Sequence, residues 1–199
     1  MGKKPIVALI YDFDGTLSPG NMQEFGGSLS VGLISSKVLL QGPIVPKKAS
    51  FMVAARRTYV DLFFPLFKGL KGDRMFFYDV NAKANWIIND NNRLYFSAFS
   101  GKDLFSLNNE SMTEIDMRLD FANNTQSLRW NHIFSPKLFA NFTLLNSFYD
   151  FGAMLQYSAT DIDFSSNLHN QAFKSDFSWF VDVNNTIGFG VPAHYYTIS

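Results

Sequence analysis

Asp12 and Asp14 flank Phe13 directly after the apolar run Pro5-Ile-Val-Ala-Leu-Ile-Tyr11, and Gly15 and Thr16 follow them. A carboxylate at the end of a buried strand, with Mg²⁺ cancelling charge, can attack a phosphorus centre. This is the sharpest chemical pattern in the chain.

Other candidates have simpler readings. Arg56 and Arg57 could meet a ligand or lipid headgroups, although paired arginines at a strand end are usually solvated or paired with loop carboxylates. His132, His169 and His194 are scattered without metal-ligand spacing, so no metal site is expected of them. Gly101-Lys102 lacks the upstream glycine of a phosphate loop, because Phe96 occupies that position. Gly188-Phe-Gly190 runs into Val-Pro and not into a helix start, which excludes a dinucleotide fingerprint. Gly72-Asp73 has no acidic partner nearby in sequence. Asp161 and Asp163 sit in an alternating Asp-Ile-Asp-Phe stretch and are expected to face the interior of a barrel.

To position Asp12 and Asp14 for phosphoryl chemistry, the chain would have to continue as an α/β domain, with helices alternating with further buried strands. After Phe25-Gly26-Gly27 no amphipathic helix of useful length follows. The pattern instead becomes period two. Between Phe76 and Ile88 the even positions are apolar, from Phe76, Tyr78 and Val80 to Trp86 and Ile88. The odd ones include Asp79, Asn81, Lys83 and Asn85. Successive side chains of a strand point to opposite sides, so such a segment has one apolar and one polar face. Leu138, Ala140, Phe142 and Leu144 repeat it against Asn141 and Thr143, as do Phe173, Phe177 and Trp179 against Lys174 and Asp176.

Asn89–Asn92, Asn108-Asn109, Asn123-Asn124 and Asn184-Asn185 read as turns, because Asn tolerates the left-handed backbone that tight turns need. The predicted strands lie near 28–42, 50–60, 75–88, 93–103, 114–122, 126–134, 137–149, 153–165, 171–183 and 186–198. Leu62-Phe-Phe-Pro-Leu-Phe67, broken by Pro65, reads as a loop or a short turn of helix. The long strands match the roughly 9–11 residues that a tilted transmembrane strand needs.

Composition agrees with this reading. The 17 basic and 17 acidic residues cancel, so no charge excess points to nucleic acid, and none is expected as a partner. Aromatics make up 17 % of the chain and 22 residues are Phe, more rings than a soluble core usually needs. There is no cysteine, hence no disulfide framework. No stretch approaches 18 apolar residues, which excludes a transmembrane helix. The run after Lys3-Lys4 ends at Asp12 without a small-residue cleavage site, so no export signal is expected there.

Gly26-Gly-Ser-Leu-Ser-Val-Gly-Leu-Ile-Ser-Ser-Lys-Val-Leu-Leu-Gln-Gly-Pro-Ile44 and Ser50-Phe-Met-Val-Ala-Ala-Arg-Arg-Thr-Tyr-Val-Asp61 resemble the first barrel strands of TonB-dependent outer-membrane receptors of the Bacteroidetes type. Phe77–Asn85 and Asp90–Ser97 continue the likeness, which covers about 175 of the 199 residues. It implies an all-β, antiparallel up-and-down meander of about 9–10 long strands. That is part of a barrel that has about 22 strands around a plug in the family. It also implies outer-membrane lipid as a partner, and TonB and a nutrient ligand as partners of the parent family. The plug and the TonB-contacting segment are not seen in this chain, so no transport activity is expected of it.

Tyr11-Asp-Phe-Asp-Gly-Thr-Leu17 resembles the first motif of haloacid dehalogenase-like hydrolases. That likeness would make Asp12 the nucleophile and Asp14 the general acid/base, with Mg²⁺ as the one cofactor. The later motifs of that family are not found, so no catalytic residue, cofactor or metal is expected to operate. The chain is therefore divided into 1–24, a hydrolase-like strand-and-loop remnant of α/β type, and 25–199, a partial barrel, as in a fusion. Two alternatives remain open: a phosphohydrolase using Asp12 and Asp14, and a soluble all-β protein binding an apolar ligand.

Overall fold

The computed structural model of the chain describes residues 24–67, 70, 72–108, 115–157 and 160–199. Asp12, Asp14 and residues 1–23 of the expected hydrolase-like segment lie outside the described residues. The rest is a single antiparallel sheet of nine strands in strict chain order: β1 (Gly26–Val31), β2 (Ser35–Val45), β3 (Ala49–Thr58), β4 (Arg74–Asn89), β5 (Asn92–Asn108), β6 (Ile115–Ser135), β7 (Leu138–Tyr157), β8 (Thr160–Phe180) and β9 (Thr186–Ile198). Each strand pairs with its neighbours in sequence, so the fold is an all-β up-and-down meander with β1 and β9 as its edges.

The turns are built by the residues expected of them. The Asn89 carboxamide oxygen accepts from the Asn91 amide at 3.0 Å and the Asn92 side chain at 2.8 Å, closing the β4–β5 hairpin. The Asp182 carboxylate accepts from the Asn184 and Asn185 amides at 2.8 and 2.9 Å in the β8–β9 turn. These are local side-chain-to-backbone bonds of the kind that let Asp and Asn set a turn. The expected short helical turn is also there, as a 3-10 helix at Val60–Leu66 with Pro65 inside it.

Three expectations about strand boundaries are corrected. The predicted strand 28–42 is two strands, folded back at Gly32-Leu33-Ile34. That turn is tied down by Tyr59, whose amide donates to the Ile34 carbonyl at 2.9 Å and whose hydroxyl donates to the Gly32 carbonyl. Asn123-Asn124 is no turn: both residues lie in the middle of β6 and stay in unbroken register with β5 and β7. The predicted strands 153–165 and 171–183 do not stand as drawn, since β7 runs through to Tyr157 and β8 spans Thr160–Phe180.

Because paired residues share a face, the register assigns every side chain in the sheet to one of two sides. The first carries the even-numbered residues of β4, such as Val80 and Trp86. The second carries the odd-numbered ones, such as Asp79 and Asn85. Large apolar residues of the first face stand in the open, with Trp86 55 % exposed and Val191 68 %. Among the described residues the buried hydrophobics are three alanines, Ala49, Ala140 and Ala172. The buried polar residues Ser50, Thr58, Asp79 and Asn85 all belong to the second face. A chain folded in water buries its large apolar groups and exposes its polar ones. This sheet does the reverse.

Candidate functional site

One register row shows how continuous the exposed apolar surface is. Phe51, Ala84, Phe96, Leu128, Leu144, Phe173 and Ala193 face each other in sequence across β3 to β9. Aromatic rings thicken this band on the short-turn side. Trp130 stacks on Phe142 at 5.2 Å, Phe142 meets Phe177 edge-on at 5.7 Å, and Phe177 stacks on Phe189 at 5.1 Å. The Trp130 Nε1 donates to the Asn92 carboxamide oxygen at 3.0 Å, and His132 Nδ1 lies 2.7 Å from the same oxygen. The Trp130 ring thus lies in the apolar band while its polar atom is tied to Asn92 at the start of β5. Trp86, Trp130 and Trp179, the chain's three tryptophans, all lie on this face.

The band is oblique to the hydrogen-bond rows. In the row Leu29, Val38, Ala55, Val80, Ser100, Asn124, Phe148, His169 and Thr197, the first four residues are apolar and the rest, Phe148 aside, are polar. In β7 to β9 the band instead reaches Leu138, Trp179 and Ile187, next to the short turns. A strand tilt of about 40° shifts a level line by roughly one residue per strand, which is the size of this drift.

Beyond Ser100 and Asn124 the two faces exchange character. On the first face follow Asp116, Arg118, Asp120 and Asp150, and then Asp161 and Asp163. On the second face follow Phe105, Leu119, Phe121, Phe151, Ile162 and Phe164. Asp161 and Asp163, expected to face a barrel interior, thus lie on the opposite face of the sheet from Lys174 and Asp176. They share the side of Phe173 and Trp179, because β8 keeps one register along its length while its polarity inverts. A polar belt marks the exchange: Ser100 donates to Asn124 Oδ1 at 2.7 Å and Asn146 to Gln126 Oε1 at 3.0 Å, while His169 Nε2 sits 2.8 Å from Asn146 Oδ1.

The second face holds a cavity of about 350 Å³ where β3 to β7 pass each other. Arg56, the arginine singled out in the sequence, is one of its walls. Its Nη2 lies 2.6 Å and its Nε 2.7 Å from Asp79 Oδ2, and its guanidinium sits 4.9 Å above the Phe77 ring. Arg57 points to the other face and lies 5.8 Å from the Phe76 ring, so the pair is divided between the two sides. Phe77, Phe99, Phe121 and Tyr149 supply the apolar wall, and Asp103 a second carboxylate. Gly101 forms the floor, paired with Asp79 on one side and Asn123 on the other. A Cβ there would come within 2.9 Å of the Phe99 ring. Asp79, Asp103 and Gly101 were not singled out in the sequence as companions of Arg56. A glycine inside an otherwise regular strand was the available signal, since it marks a close approach.

The three histidines stay apart in function as in sequence. His132 lies against the Asn92 carboxamide oxygen, His169 stacks on Phe148 at 3.9 Å, and His194 stacks on Tyr196. Among the described residues no group of three His, Cys, Asp or Glu side chains could hold a metal. No helix among them is long and apolar enough to cross a membrane.

No family model and no curated protein matches this sequence. Among solved structures it is similar to the ferric yersiniabactin uptake receptor from Yersinia pestis, at 13 % identity and a TM-score of 0.49. That match covers 82 % of this chain and 33 % of the receptor, so the chain spans about a third of the receptor's length.

Proposed function

We propose that residues 25–199 form part of the wall of an outer-membrane receptor barrel, with the apolar first face against lipid and the second face toward a water-filled lumen. The observation that carries this reading is the exposed, oblique apolar band. An apolar surface that is continuous over seven strands and drifts as a tilted wall requires is what a bilayer covers. Strands of 20 and 21 residues, such as β7 and β8, extend roughly 65–70 Å, about twice the hydrocarbon thickness. Only one half of them can therefore be immersed.

The immersed half is the one next to the turns at 46–48, 90–91, 136–137 and 181–185. The longest connections, 59–73 and 109–114, lie at the opposite end. Short turns on the periplasmic side and longer connections outside are the usual arrangement of such barrels, and the two longest connections support the proposed orientation, although the links 32–34 and 158–159 at the same end are short. The sequence resemblance to TonB-dependent receptors supports the same assignment and names the cargo only as a nutrient ligand of the parent class. On this reading the wall binds and encloses, and no phosphoryl chemistry is assigned to Asp12 and Asp14.

Membrane partition tests it. The chain, expressed and mixed with lipid vesicles, is expected to float with the lipid and to change its gel mobility on boiling. A monodisperse protein in detergent-free buffer that stays with the aqueous fraction would sink the membrane reading and favour a soluble β-domain.

A further inference from the structure

The cavity above Gly101 has a charge imbalance that its own residues do not resolve. Arg56 is committed to Asp79 through two nitrogens on one oxygen, so that pair is neutral as a unit. Asp79 Oδ1 also accepts from the Asn81 side chain at 3.4 Å. Asp103 has no such partner among the described residues. It is paired across the strands with Phe77 on β4 and Phe121 on β6, and Phe105 follows it on the same face of β5. One carboxylate is left over, and it stands between aromatic rings.

Rings and a free carboxylate together favour one class of ligand. An aromatic face attracts a cation through its quadrupole, and a carboxylate adds a full opposite charge. An anion would meet Asp103 without a free guanidinium to offset it. A neutral sugar would meet Asn123 and Tyr149 as the uncharged polar groups of the wall, beside the rings of Phe77, Phe99 and Phe121, and would leave the Asp103 charge unanswered. The missing side chain at Gly101 opens the floor, and a volume of about 350 Å³ lies at the small end of ligand sites.

We propose that this cavity binds a small organic ammonium ion carrying an apolar body, with the cationic head at Asp103 and the body against Phe99, Phe121 and Tyr149. The cavity is taken to open to the aqueous side, and in that respect the inference rests on the lumen reading above. Its binding test is nevertheless separate from the lipid test.

Calorimetric titration of the full chain, folded in detergent micelles, with benzyltrimethylammonium decides the matter. Saturable binding is expected, weakened roughly tenfold by Asp103→Asn and weakened further with the uncharged isostere neopentylbenzene as probe. Gly101→Val fills the floor and leaves the charges alone, and it is expected to abolish binding while far-UV circular dichroism stays unchanged. Absence of saturable binding to the wild-type chain, or equal binding by Asp103→Asn, overturns the proposal. A chain that enters vesicles but fails this titration loses only the cation site. One that binds the cation yet stays out of lipid loses only the membrane reading.

Discussion

The half of the sheet near the short turns and the half beyond Asn124 share the same strands, register and backbone, yet they present opposite surfaces. Near the turns, Leu144, Phe173 and Trp130 occupy the outer face and Asn141, Lys174 and Arg129 the inner one. Past the polar belt, Asp120, Asp161 and Asp163 are outside and Phe121, Phe151 and Phe164 inside. A side chain's face is set by parity, so a strand cannot turn over midway. The sequence changes sides instead. On the membrane reading proposed above, the difference means that two solvents meet the same face at different heights, lipid at one end and water at the other.

Placing a charge on the outer face at each height is the strongest way to break this contrast. Leu144→Arg stands in the row that is apolar from β3 to β9, and should cost about 2–4 kcal/mol in a bilayer. Asp163→Arg on the same face should stay within about 0.5 kcal/mol. Urea unfolding in vesicles, followed by tryptophan fluorescence, measures both. Equal costs at the two sites would erase the distinction.

A smaller effect is expected on the inner face. Arg56→Ala leaves the Asp79 carboxylate, whose side chain is 13 % exposed, without its guanidinium. About 1–3 kcal/mol should be lost in the same unfolding assay. The double change Arg56→Ala with Asp79→Ala should recover part of that loss, since it removes the stranded charge as well.

Smaller again is Trp130→Phe, which keeps a ring in the apolar band but removes the bond to Asn92. A cost of about 1 kcal/mol follows from one lost hydrogen bond, with Trp130→Ala costing more. The slightest effect concerns the β8–β9 turn. The Asn185 side chain and then the Asn184 amide, bonded to Asp182, hold its carboxyl below the ordinary value of 3.8. A lowered carboxyl stabilises the turn at pH above 3.8, and that contribution is lost as pH falls through the lowered value. Amide exchange at Asn184 and Asn185 should therefore speed up, relative to the intrinsic rate, only below that pH, and Asp182→Ala should remove the dependence.

Much of this architecture was legible in the residues. The alternation in Phe76–Ile88 gave β4 and its apolar face, and Asn89–Asn92 and Asn184-Asn185 gave two turns where they stand. Asn123-Asn124 misled for a physical reason. Adjacent polar residues arise both at a turn and where a strand's polar side passes from one parity to the other. Only pairing of β6 with β5 and β7 separates the two cases. Gly32-Leu33-Ile34 misled in the opposite sense, since Leu33, 84 % exposed, gives a turn an apolar residue. The cavity was the least legible feature. Arg56, Asp79, Gly101 and Asp103 meet only through the registers of β3, β4 and β5, and a single-strand pattern does not contain those registers.

The central claim is that the outer face near the short turns touches lipid, and the protein carries its own probes for it, because Trp86, Trp130 and Trp179 all lie there. Quenching of their fluorescence by lipids brominated along the acyl chains, in vesicles containing the wild-type chain, is the direct measurement. Strong quenching by brominated lipid and weak quenching by aqueous iodide is the predicted result. Efficient iodide quenching with no response to brominated lipid would contradict the account.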